Sequence, residues 1–564
     1  MKKRIYRTNR CFPPPSFLCL WTVQFFVFHS LLLLAISDTQ IQFIDVTREA
    51  GIHWTHVDGR SGEKYCMEML GSGAAFFDYD ADGDPDLYLV NGAPLPGYHT
   101  TEIPTNSLYE NNGDGTFTDV TLKAGVGDTG YGHGCAVGDY DNNGYLDIYV
   151  TNYGKNRLYK NNGDGTFTDV TEKAGVVEPR WSTSCAFADY DRDGNIDLYV
   201  VNYLEYNIDE NPWCGIKEKG IRAYCEPDNF QAQADTLYRN NGDGTFTDVT
   251  KSVGIYNDTG KGLGVVWGDY NNDGNPDVYV ANDSTENFFY TNLGNGTFSE
   301  VGFMIGVALS EYGVAENGMG TAFGDWDNNG WLDLTVTNYA DQTNTFYQND
   351  GDGFFTDATS ITKTALITYP YLGWATAFVD FNNDGYGDVF VANGHLQDNL
   401  KELGLEGTYA QRNLLFQNKQ NGTFTEVSQS LGPGFGFEDV SRGATFADYD
   451  LDGDIDVFVT NSNTPPRLLR NDGGNRNNWL QIKMKATRSA SDAVGTRVKI
   501  TTGDLSQIRE VQSGDGYLSQ RELKLHFGIG KHNAVDKIEI LWVSGSTRIV
   551  QQVPANQVLS LQED

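Results

Sequence analysis

The sequence predicts an all-β protein, a seven-bladed β-propeller with four-stranded blades, followed by a small C-terminal β-domain. The first observation is an acidic nine-residue loop that occurs seven times among the 564 residues, with its first aspartates 61, 50, 80, 56, 55 and 68 residues apart. A period of this size with strand-like flanks is typical of propellers and repeat arrays. The second is composition: aromatic residues make up 13%, and 64 glycines far outnumber 16 prolines. This mixture favours short strands joined by tight turns.

Each repeat contains four strand-like runs. In the first repeat they are "GSGAAFF" before the loop, "DLYLVN" after it, "NSLYENN", and "GDGTFTDVT" with its turn. The seventh repeat lacks the fourth run, while "FIDVT" (43–47) stands alone before the first repeat. We therefore predict that this N-terminal strand completes the last blade and closes the ring, which removes both sheet edges. The predicted propeller spans 38–477, and the C-terminal domain spans 478–564.

The repeated loop has the composition of a calcium site. Positions 1, 3 and 5 are Asp or Asn, position 6 is Gly, and position 9 is Asp in all seven copies. Oxygen ligands at alternate positions around a glycine-centred turn can surround Ca²⁺, and position 7 varies freely, as expected if only its backbone carbonyl binds. The predicted ligand positions 1, 3, 5, 7 and 9 are Asp78, Asp80, Asp82, Asp84 and Asp86 in loop 1; Asp139, Asp141, Asn143, Tyr145 and Asp147 in loop 2; Asp189, Asp191, Asp193, Asn195 and Asp197 in loop 3; Asp269, Asn271, Asp273, Asn275 and Asp277 in loop 4; Asp325, Asp327, Asn329, Trp331 and Asp333 in loop 5; Asp380, Asn382, Asp384, Tyr386 and Asp388 in loop 6; and Asp448, Asp450, Asp452, Asp454 and Asp456 in loop 7.

Two alternatives to this calcium site were considered. An EF-hand needs a bidentate Glu at position 12 and flanking helices, whereas position 12 here is Leu or Val in every copy. A metal-free turn, in which Asp and Asn side chains accept hydrogen bonds from backbone donors, remains open. Under the calcium hypothesis about seven structural ions bind, and the loops with the most carboxylates, 1 and 7, bind most tightly.

Charge narrows the possible partners. The formal net charge is −36, and 38–477 alone carries about −43, because 1–37 carries +5 and 478–564 carries +2. So acidic a body is repelled by nucleic acid and by anionic membrane surfaces. We therefore expect no nucleic-acid partner.

The N-terminus resembles an export signal. Basic residues precede an apolar stretch at 17–36, and "AIS" before Asp38 provides small residues for a signal peptidase. We predict a cleaved signal peptide over 1–37, with an uncleaved membrane anchor as the alternative, since the stretch is about as long as a spanning helix. Either arrangement makes the body secreted or extracytoplasmic, and no later segment is apolar enough to span a membrane.

The cysteines and the largest insertion form another group of predictions. Cys214 and Cys225 lie in the insertion 203–235, and we predict a local disulfide between them. Cys135 and Cys185 occupy matching repeat positions and are predicted to be core residues. Trp213 and Tyr224 suggest a ligand surface on this insertion, and the alternative is a loop that merely covers a blade edge. Insertions at 91–106 and 394–412 are further candidates for ligand binding.

The repeats resemble FG-GAP (or VCBS) repeats, the calcium-bearing propeller repeats of integrin α subunits and many secreted bacterial proteins. The resemblance covers about 41–472 and implies a ligand-binding face opposite the calcium loops. The tail has alternating runs at 479–486, 495–501, 507–513, 522–528 and 536–543, divided by Gly-rich turns, which predict a separate β-domain. With "NNWLQIKMKATRSASDAVGTRVKI" and "IREVQSGDGYLSQRELKLHFGIG", it resembles the ASPIC/UnbV domain. Together the two parts resemble the cartilage acidic protein family, which implies a secreted protein that acts in matrix or surface interactions.

Two functions are compatible with these observations. The first is a non-catalytic protein that binds an extracellular protein or glycan through its propeller face and insertions. The second is an extracellular propeller enzyme, a carbohydrate-active hydrolase or lyase with its site at the channel mouth. The sequence lacks HExxH, GxSxG and Walker motifs, which favours binding. Convergence of His, Arg and acids with shifted pKa values at the channel mouth would favour an enzyme.

Overall fold

The structure, a computed structural model, describes residues 41–564, and its regular structure is almost entirely β-strand. The predicted signal peptide lies outside the described residues. In the repeat region the strands are Gln42–Asp45 (β1), Ala74–Phe77 (β2), Asp86–Leu89 (β3), Ser107–Asn111 (β4), Phe117–Asp119 (β5), Tyr131–Gly138 (β6), Asp147–Tyr153 (β7), Arg157–Asn161 (β8), Phe167–Asp169 (β9), Ser182–Ala188 (β10), Asp197–Asn202 (β11), Cys214–Ile216 (β12), Ile221–Ala223 (β13), Thr236–Asn240 (β14), Phe246–Asp248 (β15), Gly262–Gly268 (β16), Asp277–Asn282 (β17), Phe288–Asn292 (β18), Phe298–Glu300 (β19), Thr321–Gly324 (β20), Asp333–Val336 (β21), Thr345–Asn349 (β22), Phe355–Asp357 (β23), Gly373–Val379 (β24), Asp388–Asn393 (β25), Gln411–Arg412 (β26), Leu414–Asn418 (β27), Phe424–Glu426 (β28), Glu438–Asp439 (β29), Ser441–Ala447 (β30), Asp456–Asn461 (β31) and Arg467–Asp472 (β32).

The helices of the described region are single turns. The α-helical turns are Thr121–Ala124, Thr171–Ala174, Gly302–Ile305, Ala365–Thr368 and Leu400–Leu403, and the 3₁₀ turns are Cys66–Met69, Lys217–Lys219, Pro227–Asn229, Ser428–Ser430, Pro433–Phe435 and Gly474–Arg476. Three of the α-helical turns follow the fourth strand of a repeat and end at a glycine in the left-handed conformation, a common way to stop a helix.

The repeats form antiparallel four-stranded sheets, as predicted. In spatial order the sheets are β2-β3-β4-β5, β6-β7-β8-β9, β10-β11-β14-β15, β16-β17-β18-β19, β20-β21-β22-β23, β24-β25-β27-β28 and β30-β31-β32-β1. We number them sheets 1 to 7 in that order. Within residues 41–564 no sheet closes on itself.

The first strand of the described chain lies in the last sheet. β1 pairs antiparallel with β32, and Gln42 is opposite Asp472. The first strand of each sheet also contacts the first strand of the next sheet, and β30 of sheet 7 contacts β2 of sheet 1. Sheets 1 and 7 are therefore neighbours, although nearly the whole repeat region separates them in sequence.

The core between neighbouring sheets comes from the alternation of side chains along the strands. In the cluster between sheets 1 and 2, Phe77 and Tyr88 pack with Val137 and Val150, and all four are at most 1% exposed. The same arrangement recurs between other neighbouring sheets. Burial of aromatic and β-branched side chains at about 25 cal/mol per Å² is the main stabilisation of such packed sheets.

The C-terminal domain is a second β structure. Its strands are Asn478–Lys485 (β33), Arg497–Thr502 (β34), Leu505–Glu510 (β35), Leu525–Gly530 (β36), Ala534–Leu541 (β37), Thr547–Pro554 (β38) and Val558–Gln562 (β39). They form the sheets β36-β33-β39 and β35-β34-β37-β38. The sequence predicted five strand-like runs here, and β38 and β39 were missed.

The segment between β35 and β36 passes among the repeats. Within residues 512–520, which we call the central segment, backbone or side-chain atoms contact the first strands of all seven sheets. Gln520 N donates to Ala74 O (3.0 Å), Cys135 N donates to Leu518 O (3.1 Å), and Thr321 N donates to Gly516 O (2.9 Å). The remaining contacts are Gln512 with Trp267, Leu518 with Ser184, Tyr517 with Trp374, and Gln520 with Thr445. The central segment therefore lies among the first strands of the seven sheets.

Candidate metal centres

Each predicted loop connects the first and second strands of its sheet, so position 9 is the first residue of the second strand. Both oxygens of Asp86 accept backbone hydrogen bonds, from Tyr79 N (2.9 Å) and from Asn111 N of the third strand (2.8 Å). The bond to the third strand recurs in all seven loops. The aspartate at position 9 therefore joins the loop to its sheet whether or not a metal binds.

Positions 1 and 5 close the turn. The glycine N–H at position 6 donates to the position 1 carboxylate in every loop, with Gly144 N at 2.7 Å from Asp139 Oδ2. The N–H at position 7 donates to the side-chain oxygen at position 5 in every loop. The glycine has a positive φ, 93° at Gly144, which glycine adopts without steric cost and which makes the sharp turn possible.

Position 4 is a second left-handed residue that the sequence analysis missed. φ at this position lies between 54° and 65° in all seven loops. Asn occupies it in four loops and Ala, Arg or Leu in the others, and Asn is the residue after Gly that tolerates this conformation best. The four asparagines also donate to the carbonyl at position 6 of the next loop, as Asn142 does to Gly194 O (3.0 Å). The recurrence of asparagine at position 4 in four loops is the sequence signal that could have identified it.

Leu451 is therefore held in an unfavourable conformation at position 4 of loop 7. Its φ is +58° and its side chain is 45% exposed. We expect Leu451→Asn to stabilise the protein by about 1 kcal/mol, measured as a rise in melting temperature. Leu451→Ala keeps the Cβ atom and with it the strain, so it serves as the control and should give no gain. A lower melting temperature for Leu451→Asn would contradict this explanation.

Carboxylates meet in five of the seven loops. Three aspartate oxygens, one per residue, lie within 4.8 Å of one another in these groups: Asp78, Asp80 and Asp82; Asp139, Asp141 and Asp147; Asp189, Asp191 and Asp197; Asp325, Asp327 and Asp333; and Asp448, Asp450 and Asp456. Loops 4 and 6 have asparagine at position 3, and there Asn271 and Asn382 donate to the position 5 aspartate. Loop 1 differs from the other four in that its group contains position 5 instead of position 9.

Position 7 side chains differ in their contacts with the loop. In loops 3 and 4 the asparagine at this position donates to the position 5 aspartate, as Asn195 does to Asp193 (2.8 Å). In loops 1 to 5 the side chain lies against a glycine in the turn after the third strand, as Tyr145 does at Gly163 and Trp331 at Gly351. A position beside a neighbouring turn accommodates side chains as different as Asp84 and Trp331, which explains why the residue type varies.

Several buried carboxylate oxygens have no hydrogen-bond partner. They are the Oδ1 atoms of Asp78, Asp141, Asp191, Asp448, Asp450 and Asp454. A buried carboxylate oxygen left without a partner costs free energy, unless a cation or a proton satisfies it. Oxygen-only donor sets of this kind fit a hard cation such as Ca²⁺.

Burial raises the pKa of several loop carboxylates. It raises the pKa of Asp86 to about 9, although two backbone N–H groups oppose the effect. Burial, reinforced by Asp452, raises the pKa of Asp454 to about 8. Burial also raises the pKa of Asp189 and Asp448 to about 7. Without a cation, these loops therefore hold protons near neutral pH.

The protein without calcium should lose stability as pH rises. A carboxyl group whose pKa is higher in the folded state than its unfolded value near 4 stabilises the fold. Its contribution to the free energy of unfolding is fully present below pH 4 and is lost as pH rises through the folded-state pKa. In EDTA we therefore expect the melting temperature to fall between pH 5 and pH 9, and saturating Ca²⁺ to reduce the fall. Asp86→Asn, which replaces the carboxylate by a neutral isostere, should make the melting temperature in EDTA depend less on pH. A melting temperature in EDTA that rises across this range would contradict the assignment.

Some loops have an internal cation from their own sheet. Lys160 pairs with Asp141 in loop 2. Arg239 contacts Asp191 at 2.6 Å and Asp193 at 2.9 Å in loop 3. These basic residues belong to the third strand, and they neutralise part of the loop charge that the sequence analysis assigned to calcium alone.

The C-terminal domain lies against the loops. Lys483 Nζ donates to Asp78 Oδ2 (3.0 Å), Gln481 Nε2 donates to Asp448 Oδ2 (2.7 Å), and Ser491 Oγ donates to Asp139 Oδ2. Asp269 N in loop 4 donates to Glu510 Oε2 (3.3 Å), and Arg192 in loop 3 donates to Val543 O (2.7 Å). The domain therefore covers the side of the repeats where the loops lie.

The large insertion contacts two other segments of the repeats. Cys214 and Cys225 form a disulfide, as predicted, and Cys135 and Cys185 are buried free thiols. Tyr224 is 4% exposed, and its hydroxyl donates to Glu68 (2.7 Å), so the prediction that Tyr224 is a surface aromatic was wrong. Trp213 is half-buried. The contacts with Glu68 and with Gln397 show that the insertion reaches segments remote from it in sequence.

Polar groups also converge near this insertion, and they are buried. Burial, opposed by the hydrogen bond from Tyr224, raises the pKa of Glu68 to about 7. Burial lowers the pKa of His133 to about 3, and its Nε2 accepts a hydrogen bond from Trp181 Nε1 (2.8 Å). Arg442 is 1% exposed and donates to backbone carbonyls, including Met69 O at 2.8 Å. All three side chains are at most 2% exposed, so these groups lie in the protein interior and not on an open surface.

Fold and loops together define a class: an all-β protein built from repeated four-stranded sheets, each with an acidic hairpin loop. The FG-GAP-like repeat family matches residues 78–150, 139–200, 228–280, 269–336, 325–391 and 404–459, more than half of the chain. The chain belongs to the FG-GAP-like repeat family. Residues 486–564 match the ASPIC and UnbV family, as the sequence predicted.

Curated relatives agree with this assignment. Cartilage acidic protein 1 of Xenopus tropicalis is 27% identical over 323 residues, which cover 56% of this chain and 47% of that protein. The Homo sapiens protein of the same name is 26% identical over 322 residues, 56% of this chain and 46% of its own length. The chain thus spans about half the length of the curated relatives it matches.

Solved structures show distant similarity. A structure of an Agrocybe aegerita lectin, described for its specific recognition of non-reducing terminal N-acetylglucosamine, is 16% identical with a TM-score of 0.39, and covers 70% of this chain and 87% of the lectin. The structure of YCF48 bound to D1 peptide is 10% identical with a TM-score of 0.40. The match covers 77% of this chain and 96% of that chain. Among residues 41–564 no helix has the length and apolar character needed to cross a membrane.

Proposed function

We propose that the protein is a secreted or surface-exposed calcium-binding β-propeller that binds an extracellular protein or glycan and has no catalytic activity. The proposal has three parts: the arrangement of the sheets, the metal in the loops, and the face that binds the ligand. Partner and location are suggested by the family resemblance and by the acidic composition.

The first part is a seven-bladed ring over 38–477 with a separate domain over 478–564. The sheet-to-sheet contacts of the first strands, including β30 with β2, support the ring. Further support comes from an asparagine in the third strand of each sheet, which donates to the position 2 carbonyl of the preceding loop. Asn161 donates in this way to Tyr79 O (2.7 Å), and Asn111 of sheet 1 donates to Tyr449 O of sheet 7 (2.8 Å).

The second part is about seven structural Ca²⁺ ions in loops 1 to 7, held by positions 1, 3, 5 and 9 and the backbone carbonyl of position 7. The observation that carries it is the set of buried carboxylate oxygens without hydrogen-bond partners in loops 1, 2, 3 and 7. Loops 4 to 6 share the ligand positions, but none of their carboxylate oxygens is among the buried atoms without a hydrogen-bond partner, so we infer weaker binding there.

The third part places the ligand on the side opposite the loops, because the C-terminal domain covers the loop side. That surface includes the insertions 91–106, 203–235 and 394–412. It presents exposed or half-buried apolar side chains, among them Ile103 (70% exposed), Leu405 (48%) and Trp213. Aromatic and aliphatic side chains beside rigid loops are typical of binding surfaces.

Two measurements test the proposal. Elemental analysis and equilibrium dialysis of calcium-replete protein should find several bound Ca²⁺ per chain; none would reject the metal. Arrays of extracellular proteins and glycans should then identify ligands, and Trp213→Ala should weaken binding more than Leu293→Ala, a control at an exposed position in a turn of sheet 4. Equal binding by both variants would move the ligand site away from the 203–235 insertion.

A further inference from the structure

Loop 1 is the one loop whose position 1 carboxylate contacts a lysine of the C-terminal domain among the described ion pairs. Lys483 lies on β33, and its Nζ is 3.0 Å from Asp78 Oδ2. The same oxygen also accepts the N–H of Gly83 (3.2 Å), while Asp78 Oδ1 is buried and has no hydrogen-bond partner. Oδ2 of this carboxylate thus accepts two hydrogen bonds, and Oδ1 accepts none.

Corresponding contacts at loops 2 and 7 are neutral. There the C-terminal domain presents the Ser491 hydroxyl to Asp139 and the Gln481 amide to Asp448. Internal cations at loops 2 and 3 come from their own sheets and contact position 3, and Arg239 of loop 3 also contacts position 5. Lys483 differs from these cations because it belongs to the C-terminal domain and because it contacts the aspartate at position 1.

The surroundings leave room for Lys483 to move. A cavity of about 440 Å³ lies between loops 1 and 2 and the C-terminal domain, and both Asp78 and Lys483 line it. The Lys483 side chain is 51% exposed, so it can rotate into water without breaking the packing of β33. The other charged groups lining the cavity are Asp139, Asp492, Glu522, Lys485 and Lys524.

We propose that Lys483 is an internal cation that calcium must displace from loop 1, so that it sets the calcium affinity of this loop. The inference rests on the proposed calcium sites. An ammonium group bound to Asp78 and a divalent ion bound to the same carboxylate repel each other, and the lysine contact must be lost before the ion gains its full attraction. Loop 1, with five aspartates, then binds more weakly than its carboxylate count suggests, and calcium at loop 1 releases a contact between the repeats and the C-terminal domain.

The test is a calcium-binding measurement on full-length variants. Lys483→Gln removes the charge and keeps a polar side chain, and Lys483→Met removes both. Each should raise the affinity of one calcium site about two- to fivefold, as expected for a partly exposed ion pair. Lys483→Arg should stay close to the unsubstituted protein. Lys485→Met is the matched control, because Lys485 is on the same strand and lines the same cavity.

A loop 1 variant assigns the affected site. Asp80→Asn should weaken calcium binding at loop 1, and in that background the gain from Lys483→Gln should disappear, since the two changes act on one site. Titration calorimetry and equilibrium dialysis give the affinities, and melting temperatures in EDTA confirm that each variant is folded.

The outcomes separate this inference from the proposed function. If the unsubstituted protein binds no calcium, the proposed metal and this inference both fail. If it binds calcium, and Lys483→Gln and Lys483→Met leave every site unchanged or weaker, only this inference is overturned. A gain of the same size in Lys485→Met would also overturn it, because the effect would then be one of overall charge.

Discussion

Removal of calcium should lower the melting temperature of the full chain by about 10 °C or more. Sites with dissociation constants of roughly 10⁻⁴ to 10⁻³ M each add about 1–2 kcal/mol of stability at 5 mM Ca²⁺. The proposed seven sites would act together, because the packing of each repeat is shared with its neighbours. The measurement is calorimetric melting in EDTA and in 5 mM CaCl₂ at one pH.

Two comparisons make this result specific. Replacing Ca²⁺ by Mg²⁺ should restore only part of the stability, because Mg²⁺ requires a smaller, more regular coordination shell. Asp448→Asn in loop 7 should reduce the calcium-dependent shift, since Asp448 Oδ1 is one of the buried oxygens without a partner. Identical melting temperatures in EDTA and calcium would show that the loops are metal-free turns.

Gly73→Ala should destabilise the protein by about 3 kcal/mol and loosen the C-terminal domain. A Cβ atom on Gly73 would lie 1.6 Å from the carbonyl oxygen of Leu518 in the central segment. The backbone of Gly73 fixes the position of this Cβ atom, and the oxygen is itself a backbone atom, so one of the two backbone segments must move. Overpacking of a filled core costs about 1–3 kcal/mol or more. We expect a lower melting temperature and faster proteolytic cleavage near 512–520.

Gly387→Ala is the control for this experiment. Its Cβ would lie 3.5 Å from the nearest atom, in the Phe378 side chain, which is ordinary contact. The substitution makes the same chemical change without reaching the central segment. If Gly73→Ala melts and resists protease like Gly387→Ala, the central segment does not occupy the position described.

The repeated loops show what spacing can and cannot predict. The glycine at position 6 and the strands on either side followed from residue types that tolerate few other conformations. The left-handed residue at position 4 was harder to predict, because Ala81, Arg192 and Leu451 occupy it as well as asparagine. Basic residues such as Arg239 could not be assigned to a loop from the sequence. The number of residues between Arg239 and loop 3 does not show that the two come together in the folded sheet.

The C-terminal domain was predicted least completely. A strand-like run at 507–513 was expected, yet β35 ends at Glu510 and the chain continues into the central segment. This segment has no periodic pattern, because its environment is made by seven other strands. Tyr224 was misplaced for a similar reason: an aromatic residue in an insertion can face solvent or a distant carboxylate, and only the fold decides.

The pairing of β1 with β32 has a consequence for biosynthesis. Residue 42 is made early, and its partner at residue 472 is made some 430 residues later, so at about 5–20 residues per second the ribosome takes roughly 20–90 s to deliver it. Throughout that interval the nascent chain presents an unpaired edge at one end of a growing row of sheets. Until synthesis reaches residue 472, any partially made product carries an open edge that invites aggregation. A chain truncated before residue 472 therefore loses the partner of β1 as well as the missing residues, and it keeps an open sheet edge.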